Sequence, residues 1–458
     1  MFLILFAINL KMQIDFGIKS KNILTPSGII NGIILISNGK IVDIISSNNS
    51  FDFPIENVDE SIVMPGIIDP HVHINEPGRT EWEGFDTATK AAAAGGITTM
   101  IEMPLNASPV TTTKNNFQIK LNAAKNKLHV NCGFWGGVVP GNENDLEELL
   151  ESGVFGLKAF LTHSGIDDFP NTDVEHLRKA LKILKKYKKP LLVHCELDAV
   201  HDDLKLLEQN PKSYSAYLKS RPKSWEDNAI KLMIDLCRET GAHVHIVHLS
   251  SANSIEQIQK AKEEGLSLTV ETAPHYLFFN AEEIPDGATE YKCAPPIREK
   301  ENNEQLWNAL LDGIIDFIAT DHSPTLPFMK EIESGNFKKA WGGIAGLQFS
   351  LPAVWIKARE KNFSLNQIAN WLCENPGRFI GVENTKGKIQ KGFDADIVVW
   401  NADNKFIVEE KMIQHRHKIT PYLNRELFGT VEQTYVGGIK VFNQGNFLHL
   451  NEGKILLS

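Results

Sequence analysis

The chain has 458 residues, 42% of them hydrophobic and 23% charged, a balance that can bury a large core and excludes a disordered chain or a disulfide-stapled miniprotein. Asp and Glu outnumber Lys and Arg 57 to 47, for a formal charge of −10, and the lysines are scattered with no basic stripe, so nucleic acid is not an expected partner. The five cysteines, Cys132, Cys195, Cys237, Cys293 and Cys373, contain no CxxC pair, and a reducing compartment is the simplest expectation.

In chain order, residues 1–10 are apolar but lack a basic leading region and a small-x-small cleavage site, and they have half a bilayer's length. They read as neither signal nor anchor, and no membrane partner is expected; a more regular pattern starts near residue 11, so translation is expected to begin at Met12. From 12 to 65, short β-runs at 14–18, 29–37 and 41–45, the last two joined by an Asn38-Gly39 turn, predict the N-terminal part of a small β-sandwich. Between 66 and 375 the pattern changes. Candidate strands at 67–71, 98–102, 129–134, 154–160, 190–194, 243–248, 267–272 and 317–321 alternate with amphipathic helical patterns such as 86–94, 144–151, 174–187, 226–240 and 254–264. Strand-then-helix repetition predicts an α/β fold with a parallel sheet, and eight such units predict a closed (β/α)₈ TIM barrel. From 376 to 458 β-type runs return at 387–389, 392–400 and 431–441, and these are expected to complete the β-sandwich beside the barrel.

His71-Val72-His73 closes the first predicted barrel strand. Residues two apart on a strand point to the same side, so both imidazoles can face one metal at the barrel mouth. In a chain with 15 histidines an HxH alone is a weak signal. It gains weight because Lys158, His194, His248 and Asp321 stand at the C-terminal ends of other predicted strands, the face where barrel enzymes place their catalytic groups. Four histidines, a carboxylate and a lysine suit Zn²⁺, with Mn²⁺, Co²⁺ or Fe²⁺ as alternatives, and the number of donors favours two ions. An ordinary lysine, with a pKa near ~10.4, is a cation that repels metals; Lys158 can be a ligand only as its carbamate, whose two oxygens can bridge a metal pair. His243 and His245 have the opposite strand parity to His248 and are expected to pack. His163, His275 and His322 lie in predicted top-face loops as candidate substrate contacts, and Gly95-Gly96 and Trp341-Gly342-Gly343 read as tight turns.

The run at 64–73, Met-Pro-Gly-Ile-Ile-Asp-Pro-His-Val-His, with Lys158, His194, His248 and Asp321 downstream, resembles the binuclear cyclic amidohydrolases: dihydroorotases, dihydropyrimidinases or hydantoinases, and allantoinases. Segments 73–84, 92–106, 292–298, 340–348 and 416–422 are most similar to allantoinases. Dihydroorotases carry an arginine two residues after the second histidine, which grips a substrate carboxylate; here that position is Asn75, which suits a neutral hydantoin with a ureido arm.

The resemblance implies hydrolysis of a ring amide of allantoin to give allantoate. Two metals, most simply zinc, would be held by His71, His73, carboxylated Lys158, His194, His248 and Asp321, and would acidify a water. Asp321 would carry that water's proton to the departing ring nitrogen. Asn75, Asn106 and Ser323 are the expected substrate contacts. A homotetramer is implied by the resemblance, and a C-terminus that is not Ser-Lys-Leu favours the cytosol. The alternatives are another cyclic amidohydrolase, acting on dihydroorotate or a dihydropyrimidine, and a scaffolding relative that has lost its ligands; the presence of all six ligand positions argues against the latter.

Overall fold

A computed structural model of the chain describes residues 13–46, 51–199 and 204–458; the expected start at Met12 lies outside the described residues. The eight barrel strands are Ile67–Val72, Ile97–Glu102, Asn131–Phe134, Leu157–Phe160, Leu191–His194, Val244–Ile246, Leu268–Thr272 and Phe317–Ile318. Neighbours pair in parallel, with Gly136–Gly137 carrying the third strand across to the fourth. The circle closes through a parallel bridge between Val72 and His322, where His73 N donates to His322 O at 2.8 Å.

Two strands end earlier than the β-runs predict. The sixth stops at Ile246 and the eighth at Ile318, and the residues beyond them that matter, His248 and Asp321, adopt φ of 40° and 46°. Left-handed backbone is costly for any residue but glycine and persists where the surroundings over-determine it. Here it turns both side chains out of the ladder toward the barrel mouth.

The amphipathic patterns form helices at Phe85–Ala94, Leu146–Glu151, Val174–Tyr187, Lys223–Thr240 and Ile255–Glu263. In Val174–Tyr187 the buried Leu177, Ala180, Leu181 and Leu184 recur at helical spacing, and Asp173 caps the start by accepting from His176 N. The helix Lys114–Ala124 has no comparable apolar stripe; it buries Phe117, Lys120 and Ala124, and Lys120 reaches Glu102 on the second strand as an ion pair with no exposure on either side.

Strands from both chain ends join in one nine-stranded sheet. Its central strand, Ile62–Pro65, pairs with Phe16–Thr25 on one side and Ile397–Ile407 on the other, around a core that includes Ile18, Ile34, Ile36, Val63, Ile397 and Val399. At four residues this strand is too short to stand out in the sequence. Gly66 then passes the chain into the barrel, with its N–H on Asp396 O at 2.9 Å. A Cβ there would lie 2.2 Å from Thr98 Oγ1, which is why the position needs glycine. Among the described residues no helix is long and apolar enough to cross a membrane.

Candidate metal and active site

The six predicted donors converge at the C-terminal mouth of the barrel, on the wall of one open cavity of about 480 Å³. His71 Nε2 and His73 Nε2 lie 3.2 and 3.4 Å from Asp321 Oδ1, and these three residues form a group that can hold a metal ion. Beside them His194 Nδ1 and His248 Nε2 are 3.0 Å apart, and the His248 ring centroid lies 5.5 Å from that of His71. Lys158 is fully enclosed, its Nζ 5.1 Å from the centre of the Phe160 ring, and that Nζ has no hydrogen-bond partner among the described residues.

Buried carboxylates behind the histidines fix which ring nitrogen faces the cavity. Glu271 accepts from His71 Nδ1 and from His245 Nε2, the latter at 3.1 Å; Glu196 accepts from His194 Nε2 at 2.8 Å. With Nδ1–H committed to Glu271, the Nε2 lone pair of neutral His71 points at Asp321. Two acceptors 3.2 Å apart require a proton or a cation between them. Burial opposes charging His71, but Glu271 and Asp321 outweigh it and raise its pKa to about 9; His73, with burial dominant, falls to about 4. Burial also lowers Lys158 to about 8 against the pull of Glu271 and Asp321, which brings the neutral amine needed for carbamate formation within reach near neutral pH. The donor set, its lone pairs and the unpartnered amine all fit divalent cations.

Of the expected substrate contacts, Asn106 and Ser323 line the cavity. Asn75 does not: it is fully enclosed, with φ 67°, and its Nδ2 donates to Pro324 O at 3.2 Å. Its turn aims the amide Nδ2 under the 321–325 loop, while its buried Oδ1 has no hydrogen-bond partner among the described residues. His163 lines the cavity, whereas His275 and His322 are buried and do not line it, His275 lying close enough to Asp321 and His71 to feel their charges and His322 with Nε2 3.7 Å from Glu83. Trp341-Gly342-Gly343 forms part of the wall, and a Cβ on Gly343 would meet Ser323 O at 2.3 Å. His245 packs against Phe317 and Phe379 as expected. The parity argument fails in one respect, because the chain leaves the strand before His248: the His248 backbone N–H and the His245 ring both reach Glu271. Glu271 and Glu196, which bind the histidines, and Arg221, which binds Glu196, are residues that the motifs did not reveal. The signal for Glu271 was a lone carboxylate inside the predicted strand 267–272, which has to be paired if it is buried.

The Amidohydrolase family profile matches residues 62–440, and the Allantoinase, composite domain profile matches residues 13–54. The chain is 46% identical over 451 residues to an allantoinase of Arabidopsis thaliana, covering 94% of this chain and 88% of that protein. It is 42% identical to an allantoinase of Streptomyces avermitilis, covering 95% and 97% of the two chains. Among solved structures, the L-hydantoinase (dihydropyrimidinase) of Arthrobacter aurescens superposes with a TM-score of 0.91 at 29% identity, over 97% of this chain and all of that one. The chain belongs to the amidohydrolase family and, within it, to the allantoinases.

Proposed function

We propose that the protein hydrolyses the hydantoin ring amide of allantoin to give allantoate, with two divalent cations. The observation that carries this reading is the enclosed Lys158 amine, unpartnered among the described residues, on the same cavity as the two histidine pairs, in a chain 46% identical to an allantoinase. His71, His73 and Asp321 would hold one cation and His194 and His248 the other, with Lys158, as its CO₂-derived carbamate, shared between them; zinc suits these donors. When bound, the cations supply Lewis acidity and an acidified water.

The chain's own residues do the rest. Asp321, held well below the usual carboxylate range because His71 and His73 outweigh its burial, is ionised. It takes the proton of the attacking water and hands it to the ring nitrogen as the amide bond breaks. Glu271 and Glu196 keep His71 and His194 in one tautomer. Asn106 and Ser323 orient the ring from the cavity wall, and Phe160 and Trp341 keep bulk water from its apolar side. The reading extends to a homotetramer, as the resemblance implies, and to the cytosol, where the five buried free thiols would stay reduced.

The test is to give the zinc- and bicarbonate-loaded protein allantoin, dihydroorotate and dihydrouracil side by side and follow ring opening by NMR. Opening of allantoin alone is the expected result. Opening of dihydroorotate or dihydrouracil in its place would assign the chain to a different cyclic amide, and no opening of any would favour a scaffolding role.

A further inference from the structure

Two cationic side chains outside the expected metal donors, Arg221 and Lys292, line the same cavity, and Arg221 reaches His194 through Glu196. Arg221 spends its Nε on Glu196 Oε1 at 3.1 Å and one terminal nitrogen on Glu196 Oε2, with its guanidinium 5.5 Å from the centre of the Trp225 ring. Its other terminal nitrogen donates to no group among the described residues. Lys292 sits 5.4 Å from the centre of the Tyr217 ring, one helical turn before Arg221, and donates once, to Ala340 O. An ammonium has three donors, and among the described residues no carboxylate pairs with this one. Behind it the buried Lys330 is satisfied by the carbonyls of Lys292, Trp341 and Gly343 at 3.3, 3.2 and 2.8 Å, so it adds positive charge without supplying an acceptor. At the rim Glu208 is already paired, with Lys338 at 2.8 Å.

Asp198 adds its attraction to Arg221, but among the described residues no carboxylate other than Glu196 pairs with either cation, and spare donors of this kind are completed by a ligand that brings acceptors. We infer that Lys292 and Arg221 form a subsite for a carbonyl- or carboxylate-bearing arm on the substrate ring, and that in this protein the arm is the 5-ureido group, whose carbonyl oxygen takes their free N–H groups. Lys292 serves as a donor in either protonation state, which matters because burial, Lys330 and Arg221 lower it to about 7. Its use of the Ala340 carbonyl leaves it half-buried on the cavity wall. The inference rests on the ring-opening of allantoin proposed above and assigns the residues that would tell allantoin from a bare hydantoin.

The test is steady-state ring opening by the zinc-loaded full chain on allantoin and on unsubstituted hydantoin. Lys292→Met is expected to lower the allantoin-to-hydantoin ratio of kcat/KM at least about tenfold, the loss of one charged hydrogen bond, and Lys292→Arg to restore most of it. A ratio within about twofold of the unaltered protein's in Lys292→Met, less than one such bond, would overturn the inference while leaving the proposed function standing. An unaltered protein that opens hydantoin and not allantoin would overturn both. A second readout needs no change at position 292: in the slow Asp321→Asn protein, allantoin is expected to suppress acylation of Lys292 by a lysine-specific reagent, and hydantoin is not. Equal protection by the two would contradict the subsite.

Discussion

Lys120 and Lys158 have no exposed surface, and they are buried in opposite ways. Lys120, on the helix after the second strand, meets the carboxylate of Glu102 and the carbonyl of Met103, the latter at 3.2 Å. Lys158, on the fourth strand, meets no acceptor, only the Phe160 ring and four histidines nearby. A buried ammonium is costly unless paired, so Lys120 is a satisfied structural charge. On the function proposed above, Lys158 is tolerated because a carbamate and metal complete its site, and the contrast then separates a residue that holds the barrel together from one that it presents.

Several substitutions can break or sharpen that contrast. The largest expected effect is on stability: Lys120→Met strands Glu102 in the interior and should cost about 3 kcal/mol in urea unfolding, the low end for a broken buried pair, because Glu102, pushed by burial to about 7, can take up a proton. Metal binding should survive in that variant; if it does not, the two lysines are not independent. Next comes Asp321→Asn, expected to lower kcat by at least about 10² with both metals largely retained, as read by metal analysis alongside kinetics. A fully active variant would remove Asp321 as the proton carrier. Glu271→Gln should weaken metal affinity about 10–100-fold, the usual loss for a carboxylate that orients a ligand histidine, measured by competition with a chelator and recovered at high zinc. The smallest effect is at the exposed rim, where Lys338→Ala removes a solvated pair with Glu208 and should leave kcat/KM within about twofold.

How much of this was legible in the sequence follows from where each part sits. Strand ends are local: a β-run followed by a polar residue is visible in one chain, so His71, His73, Lys158, His194, His248 and Asp321 stood out before any contact was known. The residues that position them are brought in from distant strands and helices, as Glu271 is to His71 across 200 positions, and nothing local marks them. Asn75 stood out by residue type but not by geometry: with φ 67° its Nδ2 reaches Pro324 O, and a single turn's handedness is not written in residue type. The sixth strand misled for the same reason, since period-two parity holds only while the chain stays in the ladder, and it leaves at Ile246. The wall formed by Arg221, Lys292 and the 341–343 turn draws on two segments that the resemblance marked, 292–298 and 340–348, and on a helix end that nothing local marks, and only the fold brings them together.

The most direct test of the account is the number of metal equivalents bound per chain by the unaltered protein and by Lys158→Ala, both purified with zinc and bicarbonate. The account predicts about two for the former and no more than about one for the latter, since the bridging ligand of a two-metal site would be gone, with no loss of thermal stability in the metal-free state. Equal metal content in the two proteins would contradict it, and would leave Lys158 as a second buried lysine with no role in the site.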